Sequence, residues 1–241
     1  MTKGSRNGHK QGQSRNPGIF FTVSNPSKLH PASNSLLSLL SPLCKSSATD
    51  DDAILSNALE NSTELNVSDI IARELSTLKS NSRQVTYSGE LCRGIGYITT
   101  KKPIVPSQLI SSLFTSHLPQ VPPLFVTRVL PADWVCAPNL KSFLAVIVPL
   151  ISSEFKLFTT DVTWKVALEK HGLSDISKDE VIKVLHEQID PRHEVSIHEP
   201  EITVVIQVTT QLCGVSLVKE FDKFESFNLR KFILASKQEN P

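Results

Sequence analysis

The residues best equipped for chemistry lie in HEQIDPRHEVSIHEPE (186–201), which holds three histidines among five acids. A metalloprotease-type zinc site sets two histidines four positions apart on one helical face, with a glutamate after the first. His186 and Glu187 open that pattern, but the second histidine position is Asp190. His193 and His198 follow Pro191, beyond any helix that carries His186. The stretch reads as a solvated helix-to-strand connection, and no metal ligand set is assigned.

A second candidate is CRGIGY (92–97). Its glycines resemble those of a loop that holds the pyrophosphate of acetyl-CoA on backbone N–H groups. Such a loop must open a helix, whereas Tyr97, Ile98, Thr99 and Thr100 continue a strand pattern. The glycines are therefore expected in a bend or bulge. With no phosphate-binding lysine loop, nucleophile elbow or paired carboxylates, no catalytic residue and no cofactor is predicted.

What remains is positive charge in pairs. Lys101 and Lys102 occupy a strand-to-helix turn, Lys170 and His171 follow the strand pattern DVTWKVAL, and Arg230 and Lys231 stand among phenylalanines. Converging on one rim, these six residues would make a phosphate-contacting edge for structured RNA. Composition demands such a local patch. The net charge is +1, and residues 85–241 carry sixteen bases against seventeen acids. No global field draws the chain to an anionic partner.

Residues 1–17 carry four Lys/Arg, no acid and almost no apolar side chain, and are expected to be a disordered basic tail. Residues 44–84 hold seven acids against four bases and read as an acidic insertion, with helical spacing over 67–78. No apolar run reaches the ~18 residues of a membrane helix, and the four cysteines lack paired spacing. An intracellular protein with reduced thiols is expected.

Strand patterns at GIFFTVS, 85–91 and 94–99 alternate with helical ones around Leu36–Leu43 and after Pro106. The prolines of 118–131 suggest an internal boundary. Beyond it come a strand through 124–130, a helix over about 139–151 that Pro149 should end or kink, and a strand over 161–168. A helix capped by Ser177 and Glu180 follows, then two strands, PEITVVIQVTTQLCGVSLVK, with almost no reactive group. The class is α+β, with the inert strand pair as scaffold and its rim as the working part.

Four stretches together resemble the eukaryotic THUMP-domain tRNA-acetylation adaptors. They are TTKKPIVPSQLI, TRVLPADWVCAPNLKSFLAVIVPLI, WKVALEKHGLSDISKDEVIKVL and PEITVVIQVTTQLCGVSLVKEFDKFESFNL, covering about residues 85–233. The resemblance implies an N-terminal ferredoxin-like domain over 18–121, a THUMP domain over 122–220 and a C-terminal segment over 221–241. It places the family's basic pair on Lys170 and His171, where the usual following Asn is Gly172. It implies a non-catalytic adaptor that binds serine and leucine tRNAs. Such an adaptor helps an RNA cytidine acetyltransferase make N(4)-acetylcytidine in the D-arm, in the nucleus or nucleolus with the cytoplasm as a further compartment. The residues alone leave two alternatives open: a binder of another structured RNA, as in ribosome assembly, and an acetyltransferase in its own right.

Overall fold

The computed structural model describes residues 16–46 and 84–239. Strands β1 (Gly18–Val23), β2 (Val85–Cys92), β3 (Ile95–Thr100) and β4 (Val126–Ala132) form an antiparallel sheet in the order β2-β3-β1-β4. Helix α1 (Leu29–Ser46) lies between β1 and β2 in the chain, and α2 (Pro106–Ser116) between β3 and β4. The helices form where the spacing predicts: Leu29, Ala32, Leu36 and Leu40 of α1, and Leu109, Ile110, Leu113 and Phe114 of α2, are buried in one core.

A second sheet follows in the order β5-β9-β8-β6-β7. It comprises β5 (Trp134–Cys136), β6 (Thr163–Lys170), β7 (Glu194–Val195), β8 (Ile202–Val208) and β9 (Cys213–Val218). β6 is parallel to β7 and β8, whereas β8 and β9 form the expected antiparallel pair. Helices α3 (Leu140–Glu154) and α4 (Lys178–Gln188) share a core with one face of this sheet, through Ile202, Val204, Ile206 and Val208 of β8. The alternate residue Val205 belongs instead to the core of the first unit, and Thr203 and Gln207 beside it are buried. Every residue of β8 is buried, which explains its chemical poverty: both faces are interior.

The two units meet at van der Waals distance. A Cβ on Gly214 would lie 2.5 Å from the Phe20 ring and 2.7 Å from the Ala132 Cβ, so only glycine permits this approach. The change of sheet falls between Ala132 and Trp134, not at the 121/122 boundary, because β4 pairs with β1. Nor is the C-terminal segment a separate piece. Phe221, Phe224, Phe227, Leu229 and Ile233 return to the first core, the last two on α5 (Leu229–Glu239). The Phe114 ring lies 5.2 Å from Phe224 and 5.3 Å from Phe227.

Several local expectations change. Pro149 does not end α3, which runs on to Glu154. Pro149 and Ala145, whose carbonyl loses its partner, both face solvent, so water can satisfy the orphaned oxygen. Cys44 is buried within α1, so the acidic insertion does not start there. The rest of that insertion, its expected helix and the tail up to residue 15 lie outside the described residues. Among the described residues no helix is long and apolar enough to cross a membrane.

Candidate nucleic-acid interface

The three basic pairs do not share one rim. Lys101 and Lys102 are exposed at the end of β3. The Lys101 N–H donates to Gln84 O, and Thr100 N–H to Pro17 O, so this end of the first sheet is also where the N-terminal segment arrives. Arg230 and Lys231 are exposed in the first turn of α5, with Lys231 Nζ 2.5 Å from Glu225 Oε2.

Lys170 is the last residue of β6 rather than a residue beyond the strand, and its ammonium is already engaged. Nζ donates to Ser174 O at 2.5 Å and to Ile176 O at 3.2 Å, pinning the loop that leads into α4. His171 continues the ladder through its N–H to Val208 O at 2.7 Å. Its Nε2 lies 3.7 Å from Glu169 Oε2, beyond hydrogen-bond length, and is buried without a hydrogen-bond partner. Gly172 turns the chain with φ +106°, and a Cβ there would come within 2.5 Å of Thr210 Cγ2.

That contact leads across to the first unit. The β8–β9 turn docks on the end of β2: Thr210 Oγ1 donates to Leu91 O at 3.2 Å, and Gln211 Nε2 to the same oxygen at 2.9 Å. Arg93 is exposed in the adjoining β2–β3 turn and has no ion-pair partner among the described residues. Arg128 of β4 forms an ion pair with Glu169 of β6. The junction thus gathers Arg93, Arg128 and Lys170 against Glu90 and Glu169, with His171 beside Glu169. Lys101 and Lys102 lie at the other end of β3, which by strand rise is about 17 Å away.

Sequence reasoning missed Arg93 and Arg128. Arg93 stands between Cys92 and Gly94 in CRGIGY, where a lone arginine carries no local signal of its own. Gly94, at φ +80°, makes the hairpin turn there, in keeping with a bend. Nothing local signals that this turn meets residues 210 and 211, more than a hundred positions away.

The histidine-rich stretch is not wholly solvated. His193 is buried, its Nδ1 accepts the Val162 N–H at 3.2 Å, and its carbonyl accepts Trp164 Nε1–H at 3.2 Å. His198 is exposed, and the His186 ring meets Trp164 at 5.6 Å. Among the described residues there is no group of three or more potential metal ligands.

The run from within α3 to the last residue of β9, residues 144–218, matches the model of the THUMP domain. The chain contains a THUMP domain. It is 24% identical over 119 residues to mouse (Mus musculus) THUMP domain-containing protein 1, covering 48% of this chain and 34% of that protein. The bovine (Bos taurus) protein of the same name is 25% identical over 115 residues, covering 46% and 32%. The aligned region therefore spans about a third of these curated relatives. Among solved structures the chain is similar to PH1313 from Pyrococcus horikoshii, with a TM-score of 0.45, 11% identity and coverage of 84% of this chain and 55% of that one. It is also similar to a 4-thiouridine synthetase in complex with RNA and ATP, with a TM-score of 0.41, 8% identity and coverage of 85% and 42%. Lys170, His171 and the turn of residues 209–212 belong to the THUMP domain, whereas Arg93 and Arg128 come from the unit before it.

Proposed function

We propose that this protein binds tRNA and serves in tRNA modification as a non-catalytic adaptor. The observation that carries the reading is the THUMP domain, set by a buried joint so that Lys170 and His171 share an edge with Arg93 and Arg128 of the first unit. Cations at a strand end and on a hairpin turn can meet phosphate oxygens without being buried. The near-neutral folded part limits such binding to a few phosphates, so the affinity is modest and salt-sensitive.

The finer reading rests on the likeness to the tRNA-acetylation adaptors. The first unit, with its strand–helix–strand–strand–helix–strand order, is the ferredoxin-like domain of that reading. The chain presents serine and leucine tRNAs to an RNA cytidine acetyltransferase, which forms N(4)-acetylcytidine in the D-arm. The adaptor itself transfers no acetyl group and works in the nucleus or nucleolus.

Deletion of the gene, followed by nucleoside analysis of purified serine and leucine tRNAs, tests this directly. Loss of N(4)-acetylcytidine, restored by the intact chain, is the expected result. Unchanged acetylcytidine with retained RNA binding in vitro overturns the acetylation role but leaves an RNA-binding protein. Absence of tRNA binding removes both. Binding of acetyl-CoA by the isolated protein in calorimetry argues for an enzyme instead.

A further inference from the structure

Two of the four cysteines face each other on neighbouring strands of the second sheet. Cys136, the last residue of β5, is the register partner of Cys213, the first residue of β9. Directly opposed residues of antiparallel strands have Cα atoms about 4.5 or 5.5 Å apart, both within the range that a disulfide spans. Opposed residues also point to the same face, and both side chains lie on the α3–α4 side of the second sheet. Cys213 is fully buried, whereas Cys136 is partly exposed at the sheet edge.

We infer that Cys136 and Cys213 are a dithiol that closes reversibly to a disulfide, with Cys136 as the attacking thiol and Cys213 as the resolving one. The Cys213 thiol donates toward Cys136, which lowers the pKa of Cys136 and, together with burial, raises that of Cys213. The other two cysteines are shifted the opposite way from Cys136. Burial pushes the Cys44 thiol up to about 11, and burial with the nearby Glu90 carboxylate raises Cys92. Of the four cysteines, Cys136 alone combines partial exposure with a lowered pKa, and both suit an attacking thiol.

With a small-molecule disulfide such as glutathione disulfide as oxidant, the chemistry balances. The Cys136 thiolate attacks one sulfur of the oxidant, whose S–S bond breaks and releases one glutathione. Cys213 then loses its proton to solvent and attacks the Cys136 sulfur of the mixed disulfide, expelling the second glutathione. The protein gives up two protons and two electrons, and the oxidant becomes two thiols.

The consequence is structural. β5 is a three-residue edge strand linking the two units, and Cys213 directly follows the 209–212 turn that docks on Leu91. A disulfide would clip the linker to the THUMP sheet and close a long loop of chain, which restricts the unfolded state.

The test uses the full chain, incubated with glutathione disulfide at mildly alkaline pH, then unfolded and alkylated. Intact mass is expected to fall from four alkylated thiols to two, with one cross-linked peptide pair containing Cys136 and Cys213. The melting midpoint should rise by about 5 °C and return on reduction. Cys136→Ser should abolish both changes. Cys213→Ala should stop the reaction at a glutathione adduct on Cys136, so the two variants report different steps even where one is less stable. Four alkylatable thiols after oxidation, a lasting adduct on Cys136 of the parent chain, or a cross-link through Cys44 or Cys92 would each overturn the assignment. None of these readouts depends on RNA, so they leave the proposed tRNA role untouched.

Discussion

Arg128 of the first sheet and Glu169 of the THUMP domain form an ion pair across the joint between the two units. His171 Nε2 stands 3.7 Å from the other oxygen of the same carboxylate, so Glu169 sits between both groups at the edge proposed to meet RNA. Glu169→Gln is expected to strengthen tRNA binding several-fold at low salt by releasing Arg128 and removing a negative charge. Both partners are about a third exposed, so the stability cost should stay near 0.2–1 kcal/mol. Filter binding over a salt series, with a thermal melt of each protein, checks both numbers. Weaker binding would mean that Glu169 positions the edge rather than masking it.

Lys170 carries structure as well as charge. As a surface lysine its removal should cost little, but its ammonium donates to two loop carbonyls. Lys170→Ala is therefore expected to lower stability by about 1–2 kcal/mol, and to weaken all tRNAs alike with a salt slope smaller by about one or less. Urea titration and binding measured on the same preparation separate the two effects. A fully stable variant would show that the loop does not need its clamp.

Gly172 leaves no room for a side chain beside Thr210. Gly172→Ala adds a Cβ to a backbone at φ +106° and drives it against Thr210 Cγ2, at an expected cost of about 2–3 kcal/mol. Adding Thr210→Ser removes that methyl while keeping the hydroxyl that donates to Leu91 O. The double variant should recover part of the loss but not the strain of the backbone. Full recovery in denaturant titration would assign the whole cost to the clash.

Asp133 links the units through both of its ends. Its carboxylate accepts the Ser107 N–H at 2.8 Å, serving the start of α2 where Val105 offers no cap, and its own N–H donates to Ser216 Oγ. Burial raises the Asp133 pKa above its ordinary 3.8, against the opposing hydrogen bonds from Ser107 and Ser216. The folded state therefore keeps this proton to higher pH than the unfolded chain, and stability falls as pH rises from 3.8 through the raised value. Asp133→Asn retains the acceptor and loses the titration. Its stability relative to the parent should improve across that window, as read from melts between acidic and neutral pH. A constant difference would contradict the assignment.

Sequence by itself determined the elements with local causes. The capping box of Ser177 and Glu180 starts α4 because both groups lie within one turn of the backbone they satisfy. Pro106 opens α2 because a missing N–H costs nothing at that position. The alternation and apolar richness of residues 201–219 gave an antiparallel pair, and its lack of reactive groups signalled a scaffold. The paired lysines and the Lys170–His171 step were legible as charge. What charge could not say was where each pair would stand. Only the tertiary structure decided that Lys101 and Lys102 lie at the far end of β3, that β4 joins the first sheet, and that the phenylalanines after residue 220 fill the first core. It also decided that Arg93 stands beside the THUMP edge and that Lys170 spends its donors on its own loop. Apart from the Lys170 clamp, which reaches only four and six positions along the chain, each of these depends on contacts between residues tens to more than a hundred positions apart. Such contacts are set by how whole sheet faces and turns pack together, and no local spacing encodes them.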